Sequence, residues 1–123
     1  MSLAVAVLKE QAEGERRVAL DPASANKLAN KGFQVLIEKG AGESAGFSDE
    51  QYSDCIVLDD PEIILTMADI WLWVQVPATE QLANLPDGRL GMGFVYAHRN
   101  PAVIDTLKRR RLTCMAMELV PQS

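Results

Sequence analysis

The sequence predicts a doubly wound α/β fold, flavodoxin-like, with a mostly parallel sheet between two helical layers in a Rossmann-like α/β/α arrangement. Three observations predict it. Short apolar runs rich in β-branched residues alternate with helix-like segments along the whole chain. Helix starts are marked by Asp-Pro and Asn-Pro pairs. The length, 123 residues, is that of one domain, so residues 1–123 are read as a single unit joined by right-handed crossovers.

The first strand covers residues 3–8. A charged loop with Lys9, Glu10, Glu13, Glu15, Arg16 and Arg17 follows it. Asp21-Pro22 pairs a favoured N-cap with proline at the first helical position, and Gly32 stops that helix. Residues 33–38 form the second strand. The glycines after it, Gly40, Gly42 and Gly46, are spaced GxGxxxG rather than the GxGxxG of a dinucleotide turn. Asp49 and Glu50 would repel a pyrophosphate there, so the segment reads as a tight turn and no cofactor-binding residue is assigned to this chain.

Ser48 and Gln51 have capping-box spacing and predict a further helix. Residues 56–58 make a short third strand, and Asp60-Pro61 opens the next helix. Asp60 as a cap accounts for the Asp59-Asp60 pair, and no metal site is assigned. Residues 70–76 form the fourth strand, with Trp71 and Trp73 on the same side. Core packing beneath a helix, or a subunit interface, explains that pair better than a stacking platform for bases. Residues 90–96 form the fifth strand, and Gly88, Gly91 and Gly93 read as turn and strand-packing glycines. Asn100-Pro101 opens the last helix, whose C-terminal turn carries Lys108 to Arg111, where cations complement the helix dipole. Residues 112–117 are the sixth strand.

Composition narrows the function. With 48% hydrophobic and 24% charged residues the chain is globular, and a net charge of −5 argues against nucleic acid as a partner. Cys55 and Cys114 have no metal or redox spacing. No apolar run reaches membrane-span length and no signal-peptide pattern opens the chain. The expected location is the cytoplasm, or the cytoplasmic face of a membrane partner, with no direct membrane insertion.

Four positions are expected to converge at the carboxyl edge of the sheet, where open α/β sheets bind ligands. Lys9 and Arg17 come from the first loop, Gln75 from the end of the fourth strand and His98 from just after the fifth. A small 2-oxo acid needs a guanidinium for its carboxylate and an acid/base group for proton exchange. Arg17 and His98 could supply these, although a lone strand-end histidine also fits a hydrogen-bonded structural role.

Three motifs carry a family resemblance: Lys9-Glu10 with the later Glu15-x-Arg17-Val18-Ala19-x-x-Pro22, the run from Lys31-Gly32-Phe33 to Phe47-Ser48-Asp49, and Met115 to Pro121. Together they cover nearly the whole chain. The sequence resembles the N-terminal domain of the alanine dehydrogenase and nicotinamide nucleotide transhydrogenase family, and most resembles the transhydrogenase alpha subunit. The resemblance implies a domain of a larger two-lobed protein, since the family continues beyond the position of Ser123 into a second domain that carries GxGxxG and binds NAD. It also implies a homodimer, and membrane-embedded transhydrogenase subunits as partners of the parent.

The resemblance implies residue roles as well. In alanine dehydrogenases the arginine matching Arg17 binds substrate, and the histidine matching His98 in Tyr96-Ala97-His98 takes part in acid/base chemistry. A lysine in a Lys-Val-Lys-x-Pro pattern also contacts substrate there; here the segment is Trp73-Val74-Gln75-Val76-Pro77, and both lysines are replaced. That departure argues against amino-acid dehydrogenase activity. The transhydrogenase pattern, Lys-Val-Asn-x-Pro, is closer in polarity at Gln75, whereas His98 departs from the small residue usual in that branch. The expected parent is an NAD(P) transhydrogenase that moves hydride between NAD(H) and NADP(H), coupled to proton translocation, with this domain inactive alone. The alternatives are the substrate domain of an alanine- or saccharopine-dehydrogenase-type enzyme, and a non-catalytic dimerisation or docking module.

Overall fold

The computed structural model describes residues 3–75, 77–83, 85–86, 89–93 and 113–116. Six strands form one sheet: β1 (Ala4–Val7), β2 (Gln34–Glu38), β3 (Ile56–Leu58), β4 (Ile70–Leu72), β5 (Leu90–Gly93) and β6 (Thr113–Ala116). Every pairing is parallel, and the order across the sheet is β3-β2-β1-β4-β5-β6. The doubly wound parallel expectation holds. The order is the Rossmann-like one and not the 2-1-3-4-5 order of flavodoxin. The chain winds outward from β1 to the edge strand β3, and the helix after β3 then carries it back across β2 and β1 to begin β4.

β1 is buried on both faces, with Ala4 to Leu8 between 0% and 4% exposed. Such continuous burial is what a central parallel strand requires. Ala4, Ala6 and Leu8 join Leu36, Ile64, Leu65, Trp71 and Leu82 in one core. On the other face Val7 joins Val35, Ile37, Ala25 and Tyr52. Ala6 stands in register between Leu36 on β2 and Trp71 on β4, a small residue between two large ones.

The two Asp-Pro helix signals act as the sequence predicts. α1 (Pro22–Asn30) starts with the Asp21 carboxylate accepting the Ser24 N–H at 2.7 Å. It ends before Gly32, whose φ of 103° is a left-handed conformation that favours glycine. α2 (Pro61–Met67) is capped by Asp60, which accepts the Glu62 N–H at 3.0 Å. Ile64 and Leu65 of α2 are fully buried against the sheet, which stabilises the fold by about 1.5–3 kcal/mol each.

Three features differ from expectation. The helix expected after Ser48 is a single 3-10 turn over Asp49–Gln51, with Gln51 Oε1 accepting the Ser48 N–H at 2.8 Å. It stops there because Tyr52 turns inward, donates its hydroxyl to the Leu20 carbonyl at 2.8 Å, and is pushed up to a pKa of about 12 by burial. A side chain at Gly42 would meet that hydroxyl at 2.9 Å, so tyrosine packing accounts for this glycine. Secondly, β4 ends at Leu72 rather than at residue 76, for a reason given below. Thirdly, a short helix without strong start signals, α3 (Thr79–Leu82), carries the chain from β4 towards β5 and buries Leu82. The end of the expected fifth strand, the helix expected after Asn100-Pro101, and His98 lie outside the described residues.

Asp69 ties the opposite edge of the sheet together. Its carboxylate accepts the Ala4 N–H at 2.8 Å and pairs with the Arg89 guanidinium, while its backbone carbonyl accepts the Leu90 N–H at 3.0 Å. Trp71 and Trp73 are buried and meet edge to face, with ring centroids 5.4 Å apart, as core residues. Trp73 lies across the glycines of β5: a Cβ would fall 2.5 Å from its ring at Gly91 and 2.2 Å at Gly93. Gly91→Ala is therefore expected to lower stability by roughly 1–3 kcal/mol through overpacking. In urea unfolding, its cost combined with Trp73→Phe should be less than the sum of the two single costs.

Candidate functional site

The winding direction reverses between β1 and β4, and a crevice opens outside the carboxyl ends of strands at such a reversal. The chain leaves β1 through buried Leu8, exposed Lys9 and half-buried Glu10. It leaves β4 through buried Trp73 and Val74 and half-buried Gln75. The Glu10 carboxylate spans the gap. Its Oε2 accepts the Val74 N–H at 3.0 Å and its Oε1 accepts the Gln75 N–H at 2.9 Å. These amides would have continued the β4 ladder, which explains why the strand ends early. Burial pushes the Glu10 pKa up, against the pull of the two amide bonds, and the nearby Glu15 charge adds to the rise.

Glu15 is the second hub, with a side chain only 6% exposed. Arg17 grips it through Nε at 3.0 Å and Nη2 at 2.8 Å, and the Arg17 backbone N–H adds a bond of 2.8 Å. Gln75 Nε2 donates to the same Glu15 Oε1 at 2.9 Å. The Arg17 bonds, above all, hold the Glu15 carboxyl at a pKa of about 2. Arg17 itself stays 65% exposed, so it presents charged surface at the rim.

The structure brings Arg17 and Gln75 onto one carboxylate, although they are far apart in sequence. Lys9 is exposed at the same sheet edge, and its backbone N–H donates to Glu38 Oε1 at 2.8 Å. His98 lies outside the described residues. The two residues that organise the site, Glu10 and Glu15, read in the sequence as members of a charged loop and of the first family motif, with no role assigned to either. The Glu-x-Arg spacing was the available signal for Glu15, because it lets a carboxylate reach the guanidinium two residues on. Nothing local marked the partners of Glu10, which are 64 and 65 residues away. Among the described residues no group of three or more His, Cys, Asp or Glu side chains is placed to hold a metal ion. Among them, too, no helix is long and apolar enough to cross a membrane.

Comparison with known proteins gives consistent relatives. A family model described as the alanine dehydrogenase/PNT N-terminal domain matches residues 6–123. The NAD(P) transhydrogenase subunit alpha of Cereibacter sphaeroides is 35% identical over 116 residues, covering 93% of this chain and 22% of the relative. The alanine dehydrogenase of Bacillus subtilis is 29% identical over 120 residues, covering 96% of this chain and 32% of the relative. The crystal structure of a transhydrogenase from Sinorhizobium meliloti matches with a TM-score of 0.90 at 29% identity, over 98% of this chain and 36% of that one. The chain thus spans between 22% and 36% of the length of these relatives.

Both carboxylates make stability depend on pH, in opposite directions. Glu15 has a depressed folded pKa, so its stabilisation is present above its ordinary value of 4.5 and is lost as pH falls towards about 2. Glu15→Gln should flatten the acid limb of stability in that window, read as the urea midpoint against pH. Glu10 is shifted the other way, so its ionisation weakens the fold as pH rises through its folded pKa. Removing it still strips two amides of their acceptor, and Glu10→Ala should lose about 2 kcal/mol at neutral pH in the same assay.

Proposed function

This chain belongs to the alanine dehydrogenase/PNT N-terminal domain family, and we propose that it is the N-terminal domain of an NAD(P) transhydrogenase alpha subunit. In this reading the parent passes hydride between NAD(H) and NADP(H), coupled to proton translocation by membrane-embedded subunits on whose cytoplasmic face it sits as a homodimer. A second domain with the GxGxxG turn holds NAD, and the rim around Arg17 faces that domain across a cleft. The present domain shapes the cleft and carries no catalysis alone.

The state of Arg17 is the observation that favours this reading. An enzyme that captures a small 2-oxo acid needs a guanidinium fork offered to the substrate carboxylate. Here the Nε and Nη2 donors of Arg17 are taken by Glu15, and the position where alanine dehydrogenases carry a second cation is the neutral Gln75. Glu10 adds a further carboxylate to the same crevice. Hydride transfer between two nucleotides places no such demand on this domain. The second reading, the substrate domain of an alanine- or saccharopine-dehydrogenase-type enzyme, is supported by the alanine dehydrogenase relative and by the presence of Arg17. It requires a substrate carboxylate to share the Arg17 guanidinium with Glu15.

Two assays separate these readings. Calorimetry should show no NADH binding to the 123-residue chain. The parent, assembled with its partner subunits, should reduce an NADP analogue with NADH. NADH oxidation by the parent that depends on pyruvate and ammonium, with no transfer to the NADP analogue, would overturn the proposal.

A further inference from the structure

The segment from residue 40 to residue 88 carries ten of the chain's seventeen Asp and Glu residues and no Lys, Arg or His. Part of it builds one edge of the sheet, through β3 and α2. Of the four large apolar side chains exposed among the described residues, three lie here: Ile56 at 39%, Ile63 at 52% and Met67 at 42%. Ile56 pairs in register with Leu36, which packs in the core with Ile64 and Leu65 of α2, so Ile56 points into the layer that α2 occupies. α2 itself lies over β2 and β1. Ile63 and Met67 are one helical turn apart on a common flank, away from buried Ile64, Leu65 and Ala68. The right-handed crossover from β3 to β4 turns that flank towards the β3 edge.

We propose that this strip, with Ile56 on the edge strand and Ile63 and Met67 on the flank of α2, is a docking surface for a basic amphipathic helix of a partner protein. Charge selects that occupant. Asp54 precedes β3, Asp59 and Asp60 follow it, and Glu62 stands in the first turn of α2. Asp54, Asp59 and Glu62 are exposed. A helix with an apolar face flanked by Lys or Arg sets apolar side chains against the centre of the strip and cations against its rim, as protein–protein contacts do. A second copy of the chain fits worse, because pairing two β3 edges about Val57 brings the Asp54 and Asp60 carboxylates of the two copies together. Anionic lipid and nucleic acid meet the same acids and are repelled. The strip is separate from the site around Glu10 and Glu15, and the proposal does not depend on what the parent transfers.

The test titrates the 123-residue chain, labelled at its isoleucine and methionine methyl groups, with a synthetic peptide that carries leucine on one helical face and lysine on the other. The methyl resonances of Ile56, Ile63 and Met67 should shift saturably, and the affinity should fall as sodium chloride is raised. Ile63→Ser combined with Met67→Ser changes two exposed positions, so it should keep the folded far-UV spectrum and weaken binding about tenfold. Asp59→Asn combined with Glu62→Gln should reduce the salt dependence. A peptide with serine in place of each leucine should bind at least about tenfold more weakly than the parent peptide. If the double serine variant fails to fold, the methyl map of the wild type decides the matter. Absence of shifts at these three methyls would overturn the proposal, as would equal binding by the serine peptide or by the folded double serine variant. So would self-association in sedimentation velocity that the double serine variant abolishes, which assigns the strip to a second copy.

Discussion

The Glu10 carboxylate, bound to two backbone amides across the point where the sheet reverses its winding, is the constraint on which the candidate site depends. β1 and β4 share only three register pairs, Val5 with Ile70, Ala6 with Trp71 and Val7 with Leu72. So short a pairing is secured beyond its ladder at both ends. Glu10 holds the exit of β4, and Asp69 holds the start of β1 through the Ala4 N–H. Glu38 holds the β1 exit from the other side through the Lys9 N–H. Carboxylates thus do at the strand ends what hydrogen-bonded ladders do within the sheet.

This arrangement also governs the charge of the crevice. A half-buried carboxylate is tolerated only where donors replace its lost water. Glu10 meets that condition with two amides, and Glu15 meets it with the Arg17 fork and the Gln75 amide. The two solutions give opposite pKa shifts, because desolvation dominates at Glu10 and a charged partner dominates at Glu15. Gln75 belongs to both sets: its backbone donates to Glu10 and its side chain to Glu15. Loop exit and charge cluster therefore meet at one residue, and a side-chain substitution at position 75 removes the Glu15 bond while the backbone bond to Glu10 stays.

Much of the architecture was legible because its signals are local. Asp21-Pro22, Gly32 and Asp60-Pro61 place helix ends through contacts within three residues, and the structure uses each of them. That Trp71 and Trp73 share one face could be read from alternation alone, and the structure puts that face in the core. Where expectation and structure part, a distant residue intervenes. Tyr52 and its bond to Leu20 cut the turn after Ser48 to three residues, although the capping pair is present. α3 has only four residues, too few to show a period. For the site, Arg17 and Gln75 could be named from residue type and expected strand ends, whereas the carboxylates that join them could not.

By itself, then, the sequence determined a doubly wound α/β domain, the starts of α1 and α2, the stop of α1, its family and the sheet edge at which Arg17 and Gln75 meet. Those follow from periodicity, capping chemistry and motif spacing, which act between near neighbours along the chain. Tertiary structure alone decided the Rossmann-like strand order, the early end of β4 and the capture of Arg17 and the β4 amides by Glu15 and Glu10. Each of those depends on which distant segments the two buried faces of β1 bring together, and only packing in three dimensions sets that.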